Sequence, residues 1–193
     1  MKTKIETGKR IGIFSYTEIR DIIIAVFSLT IILAYPDFGN IFLVFITVIV
    51  AFLLHELAHK FAAMKFNAVA FFKLWPEGLL VGFVTLLLPF RFIAPGAVVI
   101  QPYRYGRWGY REMHLTPSEV GIISAVGPIV NIFFAFVFGL AGIPGLDFVA
   151  RINSYLALFN LLPINPLDGN KVFQWKPWLW IFLLGVSLLT FLL

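Results

Sequence analysis

Apolar stretches approaching twenty residues recur along this chain, and their length limits the fold more than any other feature. About twenty apolar residues in a helix cross a hydrocarbon core, and the stretch 41–64 meets that length by itself. The composition agrees. Of 193 residues, 60% are hydrophobic and only 13% charged, with a mean hydropathy of +0.92, which excludes an ordinary soluble globule. The formal net charge of +5 could indicate nucleic acid. The Lys and Arg residues, however, stand at the ends of apolar stretches, where they match anionic headgroups and set membrane orientation. No nucleic-acid partner is expected, and membrane lipid is. There is no cysteine, so a disulfide framework, a thiolate metal site and a cysteine nucleophile are all excluded. Any metal must be held by His, Asp or Glu.

Lys2, Lys4, Lys9, Arg10 and Arg20 precede a first apolar stretch, 22–34, that stops at Pro36. The charged region is long and no small-residue cleavage site follows, so the expectation is an uncleaved membrane helix rather than a signal peptide. The second stretch carries the polar cluster His55, Glu56, His59 and Lys60. From Phe66 to His114 proline and glycine break the chain into short pieces such as Ala97-Val98-Val99-Ile100, which reads as a strand. Residues 79–92 are apolar but too short to cross untilted, so they read as re-entrant or interfacial. Thr116-Pro117-Ser118-Glu119 combines an N-cap, a proline at the first helical position and a capping-box glutamate. The resulting expectation is one all-α polytopic membrane domain spanning 1–193. Its helices are expected at about 19–35, 41–65, 116–140, 147–163 and 177–193, with a β or re-entrant region at 66–114 between the second and third.

His55-Glu56-Leu57-Ala58-His59 puts two imidazoles at i and i+4, on one helical face and close enough to share a zinc ion. Glu56 beside them is placed to take a proton from water as a general base. The plainer alternative is a polar helix end at the membrane interface, to which Lys60 would contribute. Ionisable groups among apolar residues of a membrane helix are costly, and function is their usual reason. A zinc hydrolase keeps three protein ligands and an open position, so a third ligand is needed. Outside the motif the candidates are His114 and the acids. Most of the acids, Glu18 and Asp21 among them, lie at chain ends or helix starts, where solvation and capping account for them. Asp168 differs, because it follows Asn160-Leu161-Leu162-Pro163-Ile164-Asn165-Pro166-Leu167, a proline-stiffened segment that could equally be a plain helix-ending loop.

The order of three motifs is informative. His55-Glu56-x-x-His59, then Gly127-Pro128-Ile129-Val130-Asn131, then Asn160-x-x-Pro163-x-x-Pro166-Leu167-Asp168-Gly169 resembles the site-2 protease family of intramembrane zinc metalloproteases. The resemblance extends from Leu54 to Gly169. It implies that Asp168 is the third ligand of one zinc ion per chain, and that Asn131 and Asn160 bind substrate or steady the tetrahedral intermediate. Without it, Gly127 and Asn131 read as close helix packing with an interhelical hydrogen bond. Asn170 stands where the family often has a second glycine, and no PDZ insertion or cystathionine-synthase-type domain is apparent.

If His55, His59 and Asp168 share an ion, the helix before Asp168 runs parallel to the one bearing the histidines, and one crossing lies between them. Five crossings with a cytosolic N-terminus put every Lys and Arg except Arg151 on the cytosolic side. The stretch Tyr103–Arg111, rich in Tyr, Trp and Arg, then reads as an interfacial anchor. The expected activity is zinc-dependent hydrolysis of peptide bonds within or near membrane-spanning segments of protein substrates. The strand 97–100 is expected to offer a backbone edge, through Val99 N–H, to an extended substrate. The alternative is a metal transporter or sensor, in which Glu56 has no proton to move.

Overall fold

The computed structural model describes residues 10–11, 13–88, 94–106, 109–112 and 114–192. A short hairpin of β1 (Arg10–Ile11) and β2 (Phe14–Ser15) leads into α1 (Tyr16–Ala34). Ser15 and Glu18 cap that helix reciprocally: the Ser15 hydroxyl accepts from Glu18 N–H and the Glu18 carboxylate accepts from Ser15 N–H. The stretch 41–65 is helical throughout but not uniform. α2 (Ile41–Val48) passes into a π-helical turn (Ile49–Leu53) before α3 (Leu54–Lys65). Such turns are rare and gather at functional sites, and this one ends two residues before His55.

The region 66–114 supplies what the helical periodicity could not. β3 (Ala68–Leu74), β4 (Gly96–Gly106) and β5 (Gly109–Glu112) form an antiparallel sheet in that order. β3 pairs with β4 from Leu74 against Gly96 to Val69 against Gln101, with Phe72 opposite Val98. The expected strand at 97–100 is thus part of a longer one. Between β3 and β4, α4 (Pro76–Val84) and a 3₁₀ turn (Thr85–Leu87) occupy most of the stretch expected to be re-entrant. Its end, 89–92, lies outside the described residues, as do the side chains of the expected anchor 103–111.

α5 (Pro117–Leu140) starts at the predicted cap, with Thr116 and Glu119 exchanging hydrogen bonds. It is followed by α6 (Leu146–Asn160), α7 (Asp168–Trp175) and α8 (Pro177–Leu192). The short helix α7 is an addition to the expected set, because the chain turns back into a helix directly after the proline-rich segment that ends α6. Ile41–Lys65 and Pro117–Leu140 are long and apolar enough to cross a membrane. α6 and α8, of 15 and 16 residues, fall below the usual span, and α1 carries Glu18, Arg20 and Asp21 in its first turns. One apolar cluster joins α1, α2, the π turn and β3 through Leu29, Val44, Val48, Phe52 and Phe72. A second, built on Leu161, Val172 and Leu183, seats α7 against α5 and α8.

Candidate metal centre

His55 and His59 project from one face of α3, their rings edge to face with centroids 4.6 Å apart. Both are buried. Their Nε2 atoms are 3.0 Å apart, and Asp168 Oδ2 lies 2.9 Å from His59 Nε2 and 3.4 Å from His55 Nε2. A tetrahedron with metal–ligand bonds of ~2.0–2.1 Å has edges of about 3.3 Å, so three corners are already in place. The two ring nitrogens turned away from the trio are occupied. His59 Nδ1–H donates to the Ile123 carbonyl at 2.7 Å, and His55 Nδ1 meets Asn131 Oδ1 at 2.5 Å. Outer partners of this kind leave the Nε2 lone pairs for a cation.

Asp168 is the first residue of α7, at its positive end. Two imidazole lone pairs and an anionic oxygen converging in a buried space repel one another unless a cation lies among them, and this donor set is one that zinc takes. Gly127 makes the packing possible. A Cβ there would stand 2.4 Å from His59 Nε2 and 2.7 Å from His55 Cε1, so any side chain on this turn of α5 would displace both rings. Gly169 plays the same part for Asp168, since a Cβ would meet the Leu161 carbonyl oxygen at 2.1 Å.

Glu56 is buried but is not one of the converging trio. Its Oε2 accepts Val98 N–H from β4 at 2.9 Å. The centre opens into a cleft of about 530 Å³ bounded by β4 from Gly96 to Ile100 and by α6 and α7. Asn160 lines that cleft, with its amide donating back to the Leu156 carbonyl. Asn131 does not line it. It is completely buried, and its amide donates to the Ala51 carbonyl at 2.7 Å and to Asn153 Oδ1 at 3.0 Å. The structure therefore brings together His55, Glu56, His59, Asp168 and Asn160 around one cleft and places Asn131 behind His55.

Two features are not apparent from sequence. Lys60, which could have marked a wet helix end, is 1% exposed and paired with Glu18 at 2.6 and 2.7 Å. Val98 N–H on Glu56 carries no side-chain signature at all.

Comparison with known proteins decides the relationship. The chain is 40% identical over 194 residues to "Putative zinc metalloprotease MJ0611" of Methanocaldococcus jannaschii, an overlap covering 93% of this chain and 95% of the relative. The chain belongs to that zinc metalloprotease family. It is also 32% identical over 154 residues to "Putative zinc metalloprotease YwhC" of Bacillus subtilis, covering 67% of this chain and 66% of that protein. No family model and no solved structure matches. The metalloprotease relationship and the converging His55, His59 and Asp168 point independently to the same metal.

Proposed function

We propose that the chain is an intramembrane zinc peptidase of the site-2 protease kind, cutting peptide bonds within or near membrane-spanning segments of protein substrates. The observation that carries this reading is the convergence of the buried His55 and His59 with the partly buried Asp168, with Glu56 beside them and a strand edge across the cleft. The relatives' names support the peptidase chemistry, and two helices long and apolar enough to cross a bilayer support the setting. Zinc, when bound, supplies Lewis acidity toward water and toward a peptide carbonyl. Glu56 supplies the proton handling. Its Oε2 is fixed by Val98 N–H, which leaves Oε1 to take a proton from the attacking water and to deliver it to the departing amine. Asn160, at the end of α6 on the cleft wall, contacts the substrate backbone. In this reading the chain crosses the membrane five times with its N-terminus in the cytosol.

The deciding experiment is Glu56→Gln with zinc content and cleavage measured on one detergent preparation. Glutamine still accepts Val98 N–H but takes no proton, so zinc is retained and turnover falls by about 10²–10⁴. Cleavage at the parental rate refutes the reading, and a metal transporter or sensor would take its place. His55→Ala, His59→Ala and Asp168→Ala each lose zinc, and so does Gly127→Ala, by pushing both rings out of position. For orientation, a cysteine at the exposed Gln174 position is shielded from an impermeant reagent outside intact cells; labelling there overturns the cytosolic placement of α7.

A further inference from the structure

Behind the metal centre, on the side away from the cleft, lie two polar side chains that the chemistry above does not use. These are Asn131 on α5 and Asn153 on α6, both completely buried. Two buried asparagines facing each other between helices can simply be interhelical glue. Their hydrogen bonds, however, run in one direction. Asn153 Nδ2 donates to the Val149 carbonyl of its own helix at 2.8 Å, which turns Asn153 Oδ1 toward Asn131. Asn131 Nδ2 then spends both of its N–H groups, one on Asn153 Oδ1 at 3.0 Å and one on the Ala51 carbonyl at 2.7 Å. A carbonyl oxygen has no proton to give, so this amide orientation is fixed by its acceptors rather than chosen for convenience. The Asn131 oxygen is left pointing at His55 Nδ1, and as an acceptor it requires a proton there. With Nδ1 protonated, the His55 lone pair is on Nε2, the atom that faces His59 and Asp168.

We infer that Asn153 and Asn131 form a buried amide relay that sets the His55 tautomer and so tunes the affinity of the centre for zinc, with Asn153 acting only through Asn131. Both are positioning residues. The opposite orientation of the Asn131 amide would present N–H groups to His55 Nδ1 and to no acceptor elsewhere, and it would move the imidazole proton to Nε2, where it blocks the metal. The Ala51 carbonyl belongs to the π-helical turn that precedes His55, so the relay also ties the direction of α3 to α5 and α6. This inference rests on the zinc reading above, and its test reads metal affinity rather than peptide cleavage.

The experiment is zinc titration of the purified chain in detergent against a competing chelator, with apo-protein unfolding followed in parallel. Removing an outer partner of a ligating histidine typically weakens metal binding by about 10–100-fold. Asn131→Leu should fall in that range. Asn153→Leu, which leaves Asn131 the Ala51 carbonyl as its remaining guide, should weaken binding by about 10-fold, and Asn153→Asp should recover most of the loss because a buried, protonated carboxyl keeps both hydrogen bonds. The neighbouring Ser154, buried with no partner for its hydroxyl among the described residues, is the control: Ser154→Ala keeps parental affinity. The double variant Asn131→Leu/Asn153→Leu separates relay from glue. A relay predicts the affinity of Asn131→Leu alone. Parental affinity in Asn153→Leu, or independent losses that multiply in the double variant, overturns it. Should Asn153→Leu fail to fold, Asn153→Asp decides, and a loss as large as that of Asn131→Leu overturns the relay. A parent chain that binds no zinc, or binds it equally after His55→Ala, fails the underlying metal reading instead, a result separate from both.

Discussion

The two sides of the β3–β4 ladder, over the stretch of β4 that β5 does not cover, are built oppositely. On β3 every outward-facing position from Ala70 to Leu74 is answered by a charged side chain. Lys60 donates to the Ala70 carbonyl at 3.3 Å, Glu18 accepts Phe72 N–H at 2.9 Å and Asp21 accepts Leu74 N–H at 3.2 Å. On β4 the corresponding outward positions are Gly96, Val98 and Ile100, because Phe72 and Val98 are opposite each other and both turn their N–H groups away from the pair. There the charged partner is Glu56, on Val98. An unpaired edge is a template for another strand, and proteins seal edges they do not use. α1 seals the β3 edge with Glu18 and Asp21 from its first two turns, while the side of β4 that β5 does not cover is left along the cleft that holds the candidate metal centre. The difference separates a structural edge from a receptive one, and it fits the proposal that an extended substrate pairs with β4.

The largest effect is expected at the sealed edge. Glu18 and Lys60 are 2% and 1% exposed, and removing one partner of a buried pair leaves an uncompensated charge at a cost of about 3–5 kcal/mol. Glu18→Ala and Lys60→Ala should each show a loss of that size in denaturant or thermal unfolding in detergent. The double replacement Glu18→Leu/Lys60→Met should cost clearly less than either single change, since it leaves no buried charge. If the single variants unfold like the parent, β3 is not held by this pair.

The receptive edge is tested by two prolines one residue apart. The sequence alone assigns Val99 N–H to the open edge, and the register corrects this. Phe71 and Val99 form the hydrogen-bonded pair facing β3, so the donors turned to the cleft side belong to Gly96, Val98 and Ile100, and of these Val98 N–H is taken by Glu56. Val99→Pro should therefore break the ladder and destabilise the chain by about 1–3 kcal/mol, the cost of an orphaned partner. Ile100→Pro should leave zinc content and unfolding close to parental and lower cleavage of a membrane-spanning test substrate by about 10-fold, the loss of one hydrogen bond in the bound state. Parental cleavage by Ile100→Pro would remove substrate pairing from the picture.

What is legible in the sequence and what is not divide along the same lines. His55, Glu56 and His59 are legible because a helix brings i and i+4 together with no further information. The start of α5 is legible because Thr116, Pro117 and Glu119 encode it locally. Asp168 is one acid among several until the order of three motifs singles it out, since its position next to the histidines depends on how α7 packs. Lys60 looks like a solvent-facing end because its partner, Glu18, is 42 residues earlier. Asn153 has no signal, being an ordinary polar residue in a helix until Asn131 turns out to face it. The edge at 97–100 is legible as a strand, but its register is not, for a stricter reason: Val98 acts through its backbone N–H, which every residue except proline carries.

The smallest effect concerns Asp21, and it asks whether the sealed edge is a set of separate contacts or one unit. Asp21 Oδ2 accepts Leu74 N–H, while Oδ1 is held by the exposed Arg20 guanidinium. A surface ion pair of that kind contributes little, so the value of Asp21 lies in the strand N–H and in its place near the positive end of α1. Asp21→Asn keeps an acceptor for Leu74 and loses only the charge, which should cost no more than about 0.5 kcal/mol. Asp21→Ala leaves Leu74 N–H without its carboxylate and should cost about 1 kcal/mol. Neither should change zinc binding or cleavage, because Glu18 and Lys60 still hold β3 two residues away. A loss of cleavage in Asp21→Ala at unchanged stability would show instead that the sealed edge transmits to the open one, through the strand pair that joins Phe72 to Val98 and Val98 to Glu56.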